Sequence, residues 1–138
     1  MGAVMILNID HIGIAVKDLQ KAIRVLESLG LNVAESGKVE PVKIEVAFFE
    51  VGGTRIELVS PMVEDHELAR HIRDQGEGLH HIAFNVRDIG EATENLEKSG
   101  IRIASDMPRG KGHGGKEFVF LDPKDTSGIL IELYQGIE

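Results

Sequence analysis

The feature that most limits how this chain can fold is a repeat. Asp10 to Val16, DHIGIAV, recurs seventy positions later as His80 to Val86, HHIAFNV. Superposed, the copies place His11 on His81, Ile12 on Ile82, Ile14 on Phe84 and Val16 on Val86. Both alternate with period two, the mark of a strand, and both collect their large apolar residues on one face. The opposite faces carry His11, Gly13, Ala15 and His81, Ala83, Asn85. A histidine followed by small residues, twice, predicts strands that line a cavity. Self-similarity at a fixed period implies two copies of one supersecondary unit.

The rest of the chain repeats in the same order. Ile6 to Val16 reads as a strand, Asp18 as a cap, and the following helix runs to about Leu29 with Leu19, Ile23 and Leu26 inward, stopped by Gly30. Leu31 to Ala34 reads as a short strand and Ser36 to Pro41 as a loop. Val42 to Val51 and Thr54 to Val59 form a hairpin about Gly52-Gly53, and Ser60-Pro61 break the pattern. Glu64 to Gln75 is predicted to be a linking helix. The second copy then gives a strand over Leu79 to Val86, a cap at Asp88, a helix over Ile89 to Ser99 and a stop at Gly100. It continues with a short strand at Ile101 to Ala104, a glycine-rich loop over Met107 to Gly115, and strands at Lys116 to Leu121 and Gly128 to Tyr134. The predicted class is therefore α+β, with two βαβββ modules, residues 6–60 and 79–135, joined by a linker over 61–78 into a single domain.

A chain of 138 residues is long enough for one real core. Without cysteine it has no disulfide, thiolate metal site or cysteine nucleophile, which suits a cytoplasmic protein. The net charge of −8, with few aromatics, argues against nucleic acid and anionic membrane as partners. No apolar run approaches the roughly 18 residues of a membrane span. Met1 to Met5 read as an extension without a signal-peptide pattern.

The two last strands also match. RIELV at Arg55 to Val59 aligns with LIELY at Leu130 to Tyr134, pairing Glu57 with Glu132. His11 precedes Glu57 by 46 positions and His81 precedes Glu132 by 51. Each module thus contributes one histidine and one glutamate from corresponding strands. Two imidazoles and two carboxylates, with no thiolate, point to a five- or six-coordinate divalent ion such as Co²⁺, Mn²⁺, Ni²⁺, Fe²⁺ or Mg²⁺, zinc being less diagnostic.

DHIGIAV, IELVSP at Ile56 to Pro61, GEGLHHIAFNVRDI at Gly76 to Ile89, GGK at Gly114 to Lys116 and LDPKDTSGILIEL at Leu121 to Leu133 resemble the vicinal oxygen chelate superfamily, and within it the methylmalonyl-CoA epimerase family, along nearly the whole length. The resemblance implies a cupped mixed sheet around a metal-binding cavity, with His11, Glu57, His81 and Glu132 as ligands of a divalent ion; Co²⁺ is the first choice, with Mn²⁺, Ni²⁺, Zn²⁺ and Mg²⁺ as alternatives. In some relatives glutamine stands where Glu57 is. It implies that Glu45, on the third strand, is a catalytic acid/base, and Glu132 is taken here as the second; Glu117 is the repeat counterpart of Glu45. The implied substrate is a small acyl-CoA and the reaction an epimerisation at its α-carbon, in propionate metabolism, by a homodimer without nucleic-acid or membrane partners. Alternatives of the same fold are a glyoxalase I-like lyase acting on a glutathione hemithioacetal and a non-catalytic binding module. Arg109, Lys111, Lys116 and Lys124 are the basic residues near the glycine-rich loop that suit an anionic ligand. His66, His71 and His113 read as surface residues, and His80 as structural.

Overall fold

The computed structural model describes residues 6–112 and 115–135. The expectations for Met1 to Met5, His113 and Gly114 lie outside the described residues. The chain divides into two compact units, His11–His80 and Met1–Asp10 with His81–Glu138.

In the first, the strands are β1 (Ile6–Ala15, entering the unit at His11), β2 (Val33–Val39), β3 (Ile44–Val51) and β4 (Thr54–Pro61), in spatial order β2-β3-β4-β1. β1 runs parallel to β4 and the other neighbours are antiparallel, so the sheet is mixed. Helix α1 (Leu19–Ser28) is started by Asp18, whose Oδ1 accepts from the Lys21 amide at 3.1 Å. It ends in a Schellman turn: Gly30 takes φ +93°, and Leu31 N–H donates to Leu26 O at 3.3 Å. The apolar stripe of α1, Leu19 and Ile23, packs with Ala47, Phe49 and Leu58 on one face of this sheet. The other face holds Ala15, Val46, Phe48 and Val59, and helix α2 (Glu67–Gln75) covers part of it with Leu68 and Ile72.

The second unit contains β5 (Gly78–Val86, from His81), β6 (Gly110–Lys111), β7 (Glu117–Phe120) and β8 (Ile131–Gln135), ordered β5-β8-β7-β6. β5 is parallel to β8, and β8-β7-β6 are antiparallel. Helix α3 (Ile89–Lys98) repeats α1: Asp88 caps it through the Glu91 amide at 2.9 Å, Gly100 has φ +89°, and Ile101 N–H reaches Leu96 O at 2.9 Å. Its Ala92, with Leu96, packs on Val86, Val119, Leu121 and Leu133. The expected α+β class and mixed sheet pairing are both observed.

Several local expectations are corrected. Ser36 to Val39 belong to β2 and are not a loop, because their backbone pairs with Ile44 to Ala47 of β3. Glu40–Val42 follow as a single 3₁₀ turn. Ser60 and Pro61 continue β4 to its end, where Pro61 lies opposite Ile44 and its missing N–H breaks no inner ladder. Ile101 to Ala104 form no strand, only a bridge from Ile103 to Leu121. His66 is not a surface residue. Its Nδ1 accepts from the Leu68 amide at 2.9 Å, capping α2, while Nε2 lies 2.7 Å from Val42 O. His71 is half-buried and meets the half-buried His80 ring edge-on at 4.7 Å.

Candidate functional site

On β1, His11, Gly13 and Ala15 point to the same side, and in parallel register His11 lies beside Arg55 and Gly13 beside Glu57. Antiparallel pairing sets Phe48 of β3 opposite Glu57. One face of this sheet therefore carries His11, Arg55, Glu57, Phe48 and Val46 together. His11 and Glu57 are 2% and 7% exposed, and His11 Nε2 lies 3.3 Å from Glu57 Oε1. The Phe48 ring stands edge-on to the imidazole, with centroids 5.8 Å apart.

The second unit builds the same group from the corresponding residues. β5 and β8 run in parallel register with Ala83 beside Glu132, so His81, two positions before Ala83, shares the face of Glu132. Both are buried, with His81 Nε2 3.1 Å from Glu132 Oε1. Phe120 of β7 is paired opposite Glu132 and stands edge-on to His81 at 5.5 Å. A buried carboxylate among apolar neighbours is costly unless it has a partner, and here each has an imidazole.

Each His–Glu pair has the donor chemistry of a divalent-ion ligand pair. Adjacent ligand atoms around a metal at bond lengths of roughly 2.0–2.2 Å lie about 3 Å apart when their bonds are perpendicular, and each His–Glu pair has close to that separation. Nitrogen and oxygen donors without thiolate suit Co²⁺ and similar ions. Two imidazoles and a carboxylate, those of His11, His81 and Glu132, make a group able to bind a metal.

Glu45 does not join its module's His–Glu pair. It is paired opposite Ser60, while Glu57 is opposite Phe48, and period two puts Glu45 with Ala47 and Phe49 on the α1 face. There, half-buried, it borders a polar cleft of about 520 Å³ with Lys17, Lys38 and Ser60. Glu117 is exposed and lies opposite Gln135, again off the Glu132 face. Of the expected basic residues, Arg109, Lys111 and Lys124 are exposed, and Lys116 reaches the Tyr134 ring, 5.7 Å from its centroid. The sequence reading did not single out Arg55, whose guanidinium carbon sits 4.2 Å from the Phe48 ring centroid. Its signal was present as the one charged departure in the RIELV/LIELY match.

Residues 10–120 match the Glyoxalase/Bleomycin resistance protein/Dioxygenase superfamily. The chain is 36% identical over 131 residues to the mitochondrial methylmalonyl-CoA epimerase of Homo sapiens, covering 94% of this chain and 74% of that one. It is similar in structure to methylmalonyl-CoA epimerase from Mycobacterium tuberculosis, with TM-score 0.89 and 27% identity over 100% of this chain and 93% of that one. It is also similar to a Streptomyces coelicolor methylmalonyl-CoA epimerase in complex with 2-nitronate-propionyl-CoA, with TM-score 0.87 and 30% identity over 99% and 100% of the two chains.

Proposed function

The chain belongs to the Glyoxalase/Bleomycin resistance protein/Dioxygenase superfamily, and we propose that it acts there as a methylmalonyl-CoA epimerase, an isomerase that interconverts the (2R) and (2S) forms of an acyl-CoA. The observation that carries this reading is the buried His–Glu pair found in each module of a chain whose full length resembles these epimerases.

The α-carbon of the substrate lies between a thioester and a carboxylate. Removing its proton leaves an enolate whose charge gathers on the thioester oxygen, so the site must stabilise charge there and hold two groups able to exchange a proton. We assign His11, Glu57, His81 and Glu132 as ligands of one divalent ion, with Co²⁺ as the ion. When bound, that ion supplies Lewis-acid stabilisation of the developing oxyanion. The protein contributes orientation: His11 and His81 are fixed edge-on against Phe48 and Phe120, which limits their rotation and excludes water around them.

Inversion needs a proton taken from one side of C2 and returned on the other. Glu132 serves one side. For the other we keep Glu45, a half-buried carboxylate that borders the polar cleft on the α1 face. A ligating carboxylate can act in this way through its second oxygen. The two modules work as one functional domain, in a cytoplasmic homodimer. Among the described residues no helix is long and apolar enough to cross a membrane.

Proton NMR of mixed (2R,2S)-methylmalonyl-CoA in D₂O with Co²⁺-loaded protein tests the reading. The α-proton signal should vanish from both epimers, and a chelator should halt the exchange. Persistence of that signal at full metal occupancy would overturn it.

A further inference from the structure

Resting on the epimerase reading, we propose that His66 is a positioning residue for Glu45, acting through a strained turn at Lys43 that it clamps to the start of helix α2. The 3₁₀ turn Glu40–Val42 ends on Lys43, which takes φ 55° and ψ 49°, two positions before Glu45. That left-handed conformation is unfavourable for a residue with a Cβ, and a residue other than glycine stays there only when its surroundings hold it.

Hydrogen bonds on both sides of Lys43 do this. Its N–H donates to Glu40 O at 3.2 Å, and its carbonyl accepts from the Met62 amide at 2.9 Å. The carbonyl that enters it, Val42 O, lies 2.7 Å from His66 Nε2. The tautomer of His66 follows from its partners. Nδ1 accepts from the Leu68 amide at 2.9 Å, so in the neutral ring the proton sits on Nε2 and is donated to Val42 O. Capping α2 needs only one acceptor, which the usual N-cap residues supply. The half-buried imidazole adds a donor on its far side, and that donor reaches the turn. Apolar packing sets the direction of the chain that follows. Val42 and Ile44 pack against the cluster of Val39, Val46, Leu68 and Ile72. Period two then turns Glu45 to the opposite face, in register with Lys38 on one side and Ser60 on the other, where it borders the polar cleft. A change of φ at Lys43 rotates the chain just where β3 begins, so the clamp on that turn governs where the Glu45 carboxylate points.

A purely structural role for His66, as the cap of α2, makes a different prediction. His66→Asn keeps an acceptor for the Leu68 amide, but its side chain ends where Nδ1 does and falls short of Val42 O. Exchange of the α-proton in D₂O is read for each epimer separately with Co²⁺-loaded wild type, His66→Asn and His66→Asn/Lys43→Gly. Misplacing a reacting group by about 1 Å costs roughly 10- to 100-fold. His66→Asn should lose that much exchange from the epimer that Glu45→Gln also silences, and keep exchange from the other. Glycine takes the left-handed conformation without the penalty, so the double variant should recover most of the loss. Equal loss from both epimers, loss from neither, or no recovery with glycine overturns the assignment. The three-bond HN–Hα coupling of Lys43, measured by NMR in wild type and His66→Asn, scores the clamp without any reaction. It should change in the variant, and an unchanged coupling overturns the clamp. Absence of exchange in wild type would count against the epimerase reading, with the clamp still scored by the coupling.

Discussion

Glu132→Gln changes one atom pair and removes one charge. The carboxylate is 6% exposed and its Oε1 lies 3.1 Å from His81 Nε2. Glutamine is nearly isosteric and its amide oxygen can still meet the imidazole. The largest structural penalty is the loss of one charge-assisted hydrogen bond, about 1.5–3 kcal/mol, within an overall stability of roughly 5–15 kcal/mol for a domain of this kind. The variant should therefore fold. Losing a general acid/base is expected to cost about 10²–10⁴ in rate, or roughly 2.7–5.5 kcal/mol in the barrier. The assay follows wash-out of the α-proton separately from the (2R) and (2S) substrates in D₂O, with Co²⁺ content measured in each sample. If Glu132 serves one side of C2, inversion should fall by that factor, while exchange without inversion persists from the epimer whose proton faces the other base. Near wild-type exchange from both epimers at full metal occupancy would refute Glu132 as an acid/base.

Glu45→Gln should abolish exchange from the complementary epimer with Co²⁺ retained; unchanged exchange from both epimers would remove Glu45 from the reaction. Co²⁺ present at 100 times its dissociation constant should stabilise the fold by about 2.7 kcal/mol, read as a rise in Tm by calorimetry that disappears in His11→Ala/His81→Ala, and an equal rise in that double variant would remove these histidines from the ligand set. Far from the site, Arg102 Nε and an Nη donate to Asp125 at 2.9 and 3.1 Å and hold its carboxyl below the usual value. That contribution is present above the unfolded carboxyl pKa of about 4 and is lost as pH falls through the lower folded value. Asp125→Asn should consequently lower Tm at pH 7, and the difference should shrink as pH falls below about 4; a difference that stays constant on acidification would exclude the ion pair as its cause.

The repeat, the two helices and the His–Glu pairs were legible because each depends on local chemistry. Asp18 and Asp88 cap, Gly30 and Gly100 terminate, and period-two alternation assigns faces, all within a few residues. The polar stretch Glu35 to Lys38 has loop composition, yet it is strand because the edge of β3 offers Phe48 to Val46 and Glu45 as backbone partners. Ile101 to Ala104 have strand composition, yet only a single bridge to Leu121 forms. Backbone hydrogen bonding across sequence-distant segments decided both. The same holds for Glu45. Its distance from His11 in sequence says nothing about side, since a strand presents alternate residues to opposite faces and only the register with β4 shows which residues share Glu57's. The identity of the donors was therefore set by the sequence through its internal repeat. Which carboxylates keep company with them, and the stacking of Arg55 on Phe48, were decided by strand pairing, because contacts between residues far apart in sequence exist only once the sheet's register is fixed.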